Sequence, residues 1–226
     1  MDRDEILGIF RIDKQEYLEL ILDGKLRFTP IETYKKMEDE ESHRKDSDEG
    51  LRKIHQAMPP DKDWIRLIAH NGPLAGIPIE LKFIGQIKVS TQLDDVSVLC
   101  FSKITRADIP DAIPGRSYQY NMDPRMLKLG NVALVIRSFK EFVFRFRKKA
   151  EELKIKAASG SVKYVDVETY HGDIKEIGYT KLKDPFYYQK EYRLALMFNG
   201  TAPKEFILDI GSIRDIAEIK PLFQPK

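Results

Sequence analysis

Three short segments carry side chains whose types and spacing suit chemistry. Arg11 stands in the apolar run Gly8-Ile-Phe-Arg11-Ile. A guanidinium there must leave the core or meet an anion, because an unpaired charge is costly to bury. Ser102 closes a second apolar run, Leu99-Cys-Phe-Ser102, with a hydroxyl. The third segment, Tyr187-Tyr-Gln189-Lys-Glu191-Tyr-Arg193-Leu, places a carboxamide and a carboxylate two residues apart. Strand alternation predicts that Gln189 and Glu191 share a face. Arg193 has the same parity, so a surface ion pair with Glu191 is the plainer alternative. Likewise Arg11 has Asp13 close by, and Ser102 has an ordinary strand-end role open to it.

The elements that must position these groups are short. Residues 6–12 read as a strand, and Asp13 as the cap of a helix with Tyr17, Leu18, Ile21 and Leu22 on one face, closed by Gly24. Leu26–Thr29 reads as a second strand, and Pro30 opens a turn holding Ile31 and Tyr34. Glu38–Glu49 is polar and acid-rich, as in an exposed loop. Residues 54–79, with Pro59-Pro60 and Asn71-Gly72-Pro73, read as irregular chain, making 51–80 a candidate lid or insertion. Phe83–Val89 and Val96–Ser102 are predicted to pair as a hairpin. Asn131–Ile136 is the clearest buried strand, and Ser138 is placed to cap an amphipathic helix running from Phe139 to about Lys154. Residues 161–167, 192–198 and 206–210 read as later strands, and 216–222 closes the fold. Strands cluster without regular alternation with helices, which predicts an α+β single domain over residues 1–226, built on an antiparallel-rich sheet flanked by helices.

Composition excludes several classes. Of 226 residues, 42% are hydrophobic, with 12 Phe and 10 Tyr, enough for a sizeable core and against bulk disorder. The net charge of +2 neither favours nor disfavours nucleic acid, although Arg145–Lys156 is locally basic. A single cysteine, Cys100, cannot form an internal disulfide, and four scattered histidines lack metal-ligand spacing. Asp46, Asp48 and Glu49 lack the spacing of a calcium loop, and Asp166, Glu168 and Asp173 lack the lysine of a nuclease set. A metal-dependent nuclease is therefore the weakest of the alternatives, and no metal is expected. Neither a dinucleotide fingerprint, a P-loop, a nucleophile elbow nor a kinase signature occurs. The N-terminus, Met-Asp-Arg-Asp-Glu, lacks the pattern of a signal peptide, and the apolar runs are too short for a bilayer. These features predict a cytoplasmic protein without a membrane partner.

Taken in order, Arg11, Ser102 and Gln189-x-Glu191 resemble the ADP-ribosyltransferase-like superfamily. Its toxin-type members carry an arginine on the first strand, a serine-containing middle strand and a Gln/Glu-x-Glu segment before a late strand. The usual middle motif Ser-Thr-Ser stands here as Cys100-Phe-Ser102. The chain also looks like an uncharacterised bacterial and phage family, through Gly24-Lys-Leu-Arg-Phe28, Arg44-x-Asp46-x-x-Glu49-Gly50, Val98-Leu-Cys-Phe-Ser102 and Tyr188-x-x-Glu191-Tyr-Arg193-Leu. The resemblance implies a split sheet and NAD as substrate, with ADP-ribose transferred to a protein or nucleic acid. It assigns Glu191 to the oxocarbenium-like ribose, Gln189 to the acceptor, Arg11 and Ser102 to NAD, and Tyr34 or Tyr188 to stacking on nicotinamide. It implies a toxin or phage-defence effector, with an inhibitor protein in the producing cell. A non-catalytic module binding nucleic acid or protein is the alternative.

Overall fold

A computed structural model describes residues 2–36, 48, 50–57, 64–68, 78–82, 85–113, 116, 118–176 and 178–222. In chain order the elements are β1 (Ile6–Asp13), α1 (Gln15–Leu22), β2 (Lys25–Pro30), α2 (Ile31–Lys36), β3 (Leu51–Ala57), β4 (Trp64–Ile68), β5 (Pro78–Lys82), β6 (Gly85–Ser90) and β7 (Val96–Thr105). They continue with β8 (Val132–Ile136), α3 (Phe139–Glu152), β9 (Lys156–Ser161), β10 (Lys163–Val165), β11 (Gly172–Asp173), β12 (Thr180–Leu182), β13 (Glu191–Met197), β14 (Phe206–Asp209) and β15 (Ala217–Pro221). The result is a mixed α/β molecule whose main body is an eight-stranded sheet. Every pairing within that sheet is antiparallel.

Alternation along β7 organises this sheet. Leu99 and Phe101 turn to one face, where Tyr192 and Leu194 of β13 stand opposite them in register. There they join Ile9, Phe28, Leu134 and Ile136 in one buried cluster. Helices α1 and α3 close that face, α1 through Leu18, Ile21 and Leu22 and α3 through Phe142, Val143, Phe146 and Ala150. The ring of Phe142 meets Phe101 edge-on at 5.5 Å, and Phe146 stacks on Phe28 at 5.8 Å. Burying each such ring contributes about 1.5–3 kcal/mol. Val98, Cys100 and Ser102 turn to the opposite face, beside Ala195, Arg193 and Glu191.

One edge of β7 is divided between two strands. Gly8, Ile9 and Phe10 of β1 pair with Ile104, Lys103 and Ser102. Thr29 and Pro30 of β2 pair with Val98 and Ser97. Between them, at Leu99–Phe101, β1 has turned away to pair with β8 and β2 has not yet joined. The other edge is held continuously by β13. The sheet therefore forks at Cys100.

Four expectations need correction. Strand β7 does not form a hairpin with the strand before it. β6 pairs with β3, because its Gln86, Lys88, Val89 and Ser90 are exposed while both edges of β7 are taken by buried strands. The region 51–80 is not irregular throughout. β3 lies in a sheet with β6 and β11, and β4 pairs with β5, while the Pro59-Pro60 and Asn71-Gly72-Pro73 segments fall outside the described residues. A strand was missed at β9, whose Lys-Ala-Ala-Ser-Gly-Ser sequence has low strand propensity. It pairs with β13, and a Cβ at Gly160 would sit 3.3 Å from the Tyr179 ring, so small residues are required there. Finally, Ser138 makes no side-chain cap bond, and the first cap is Lys14, whose amide donates to Asp13 at 3.0 Å.

Candidate functional site

Glu191 opens β13, immediately after a 3₁₀ turn at Tyr187–Gln189. Lys190 adopts φ 43°, a left-handed conformation that turns the chain into the strand, and its carbonyl accepts from the Lys103 amide at 2.9 Å. Ser102 stands opposite Glu191 in register, and both are buried. The carboxylate is held on both sides. Its Oε1 accepts from Arg193 Nε at 2.5 Å, and its Oε2 lies 2.9 Å from Lys181 Nζ. Arg193 is only 1% exposed and also donates to the Gly178 carbonyl at 2.5 Å. Lys181 lies with its ammonium 4.7 Å from the centre of the Phe186 ring. Burial alone pushes the Glu191 carboxyl up, but the charges of Arg193 and Lys181, with hydrogen bonds from Arg193 and Cys100, outweigh it and hold the carboxyl well below its ordinary range. The pair read as a surface contact is thus an interior one, fixed by a third charged group.

The floor of the site is uncharged. Burial, with the charge of Glu191 added, pushes the Cys100 thiol up to about 12. Burial likewise pushes the Tyr34 phenol, carried by α2, up to about 12. Both remain protonated near neutral pH, and Cys100 is no thiolate nucleophile.

Arg11 fills the fork. Its Nη1 donates to the Cys100 carbonyl at 2.7 Å, an edge acceptor that neither β1 nor β2 reaches. Its Nη2 donates to Asp13 at 2.7 Å, so the alternative pairing considered for Arg11 is present. The third donor, Nε, is buried and has no hydrogen-bond partner. An orphaned buried donor of this kind costs about 1–3 kcal/mol. A cavity of about 410 Å³ opens here, lined by Arg11, Tyr34, Ser102, Lys181, Gln189 and Glu191 among others. That volume falls in the usual range for small-molecule sites.

Five of the six residues singled out in the sequence thus line one cavity: Arg11, Tyr34, Ser102, Gln189 and Glu191. Tyr188 does not. It packs among Phe10, Ile12, Met126 and Ala133, with the Arg125 guanidinium 4.0 Å from its ring centre. One face of its ring is covered by that guanidinium, and Tyr188 is not among the residues that line the cavity. The reason given for Gln189 also fails, because it sits in the 3₁₀ turn and not on the strand, and strand parity says nothing about it. Lys181 and Asp13 were missed as site residues. The Arg193 contact was visible in the i, i+2 spacing, whereas Lys181 comes from a three-residue strand that no pattern marks.

The other groups considered are engaged elsewhere. Asp48 pairs with Lys88, Asp173 with Lys53, and Asp166 accepts from the Glu168 amide. Asp46 and Glu49 lie outside the described residues, among which no cluster of metal-binding side chains occurs. On α3, Arg145 is clamped by Glu141 and Asp215, and Lys149 pairs with Glu152. No helix among the described residues is long and apolar enough to cross a membrane.

No family model, no curated protein and no solved structure matches this chain.

Proposed function

We propose that the chain is an NAD-dependent ADP-ribosyltransferase-like enzyme acting on a macromolecule. The observation that carries the reading is the fork. A buried carboxylate at the start of β13, a hydroxyl opposite it on β7 and an arginine with an unused donor on β1 surround one ligand-sized cavity. These are the three motifs whose order suggested the resemblance.

In this reading the Arg11 guanidinium holds the dinucleotide through charge-assisted bonds to its phosphate or ribose oxygens, with the Ser102 hydroxyl beside it. The bond between ribose C1′ and the nicotinamide nitrogen breaks, and its electron pair leaves with neutral nicotinamide. Positive charge develops on the ribose, where the Glu191 carboxylate stabilises it. The acceptor's lone pair then forms the new bond to C1′, and its proton passes to solvent. Glu191 does not take that proton, because Arg193 and Lys181 keep its carboxyl too acidic to serve as a base near neutral pH. Gln189 orients the acceptor at the cavity mouth.

A second reading is favoured by one observation. Both Glu191 oxygens already face cations, so much of the negative charge is offset before any ligand arrives. A module that binds an anionic ligand without chemistry would show the same arrangement. Calorimetric titration with NAD, alongside an assay of nicotinamide release, separates the two. Binding with release that falls at least about 100-fold in a folded Glu191→Gln protein supports the enzyme. Binding without release from the wild-type protein favours the module.

A further inference from the structure

The cavity is bordered by α1 and by β2. β2 alternates there, burying Leu26 and Phe28 while Lys25 and Arg27 are exposed. In register beside them on β14 stand Asp209 and the exposed Ile207. Lys25, Arg27 and Lys204 all border the cavity, as do Tyr17 and Leu20 of α1, which are 39% and 41% exposed. Arg27 is paired with Glu205 at 3.2 Å, and the Asp209 carboxylate accepts from the Gly211 amide. Among the described residues Lys25 and Lys204 make no ion pair.

We infer that this rim is a docking site for single-stranded nucleic acid, whose phosphates meet Lys25 and Lys204 and whose bases stack on Tyr17. Three cations against the carboxylates of Glu205 and Asp209 leave the rim positive, which favours a polyanion, and the exposed Tyr17 ring on the same cavity favours one that carries flat apolar groups. Single-stranded nucleic acid offers both, and its bases are free to stack. An acidic peptide offers only the charge. The basic helix α3 is the weaker surface, because Arg145 and Lys149 are already held by acids on the same molecule and its aromatic stripe is buried. As the acceptor site of a transferase, the rim rests on the function proposed above. As a binding site it does not.

The test is fluorescence anisotropy with a labelled single-stranded RNA of about 20 nucleotides, long enough to span such a surface, titrated over a range of salt. The proteins are wild type, Lys25→Gln/Lys204→Gln, Tyr17→Ala, and a control pair, Lys140→Gln/Lys148→Gln, that removes the same charge from exposed positions on α3. Calorimetry with NAD is run on each. The rim pair is expected to weaken RNA binding at least about 10-fold and to flatten the salt slope by about 1.4, the value for two lost phosphate contacts on a single strand. Tyr17→Ala is expected to weaken binding about 5- to 100-fold with the salt slope kept. The control pair should match wild type, and NAD binding should survive in all variants. The inference is overturned if wild type shows no salt-dependent binding, if the α3 pair matters as much as the rim pair, or if polyglutamate binds as tightly as RNA. Loss of NAD binding in the rim pair with RNA binding intact would also overturn it, assigning the rim to the dinucleotide. RNA binding without any ADP-ribosyl transfer would leave the docking site standing and remove the transferase.

Discussion

Glu191, Arg193 and Lys181 form the most consequential contact in the molecule. Taking ionised groups out of water is costly, and their mutual attraction offsets that cost only while all partners are present. Arg193→Met or Lys181→Met alone is therefore expected to cost about 3–5 kcal/mol in urea unfolding, because it leaves a buried charge with one partner fewer. The combined Lys181→Met/Glu191→Leu/Arg193→Met protein is expected to recover most of that loss. Recovery would show that the charges are kept for what they do and not for stability, and a triple variant no better than the singles would refute this. The same carboxyl sets an acid dependence. Its folded pKa lies below the ordinary 4.5, so its stabilising contribution is complete above about pH 4.5 and is lost as pH falls further. The stability gap between wild type and Glu191→Gln should accordingly shrink on acidification below that point, and a gap constant with pH would contradict the assignment.

Between β1 and β2 the connection must turn sharply for both strands to reach the same edge of β7. Gly24 makes that turn with φ +85°, and a Cβ there would come 2.0 Å from the Gly211 carbonyl oxygen. Gly24→Ala is thus expected to cost more than about 1 kcal/mol, seen as a lower Tm, with the cavity residues disturbed although none is altered. If Gly24→Ala melts as wild type does, the fork does not depend on this turn. Much of the framework was legible, since β1, β2, β7, β8, β13 and α3 all carry plain apolar periodicity. What stayed hidden followed from tertiary contacts. β9 is built from small residues because Tyr179 lies against Gly160, and β6 finds β3 across a long stretch of chain. For the site, residue type and order brought five positions to one cavity. They failed for Tyr188, whose burial depends on Arg125 and Met126 packing from a distant turn, and for Lys181, which only folding brings to Glu191.

Across the whole molecule the two faces of the main sheet are used differently. One is apolar and is closed by α1 and α3, and it supplies the burial that stabilises the fold. The other carries the buried charges of Glu191 and Arg193, and at the fork between the faces lie the orphaned Arg11 nitrogen and the open cavity, each of which lowers stability. Features that break local rules without compensation tend to mark functional positions. Net charge conveys none of this, because +2 averages over a basic rim and the acid-rich stretch after α2. The measurement that tests the central claim most directly follows the adenylate-labelled half of NAD in a cell lysate, with wild-type protein and with Gln189→Ala, protein and nucleic acid fractions being counted separately. The account predicts label in a macromolecular fraction with wild type, strongly reduced in the variant. Intact NAD and unlabelled fractions with folded wild-type protein would contradict it.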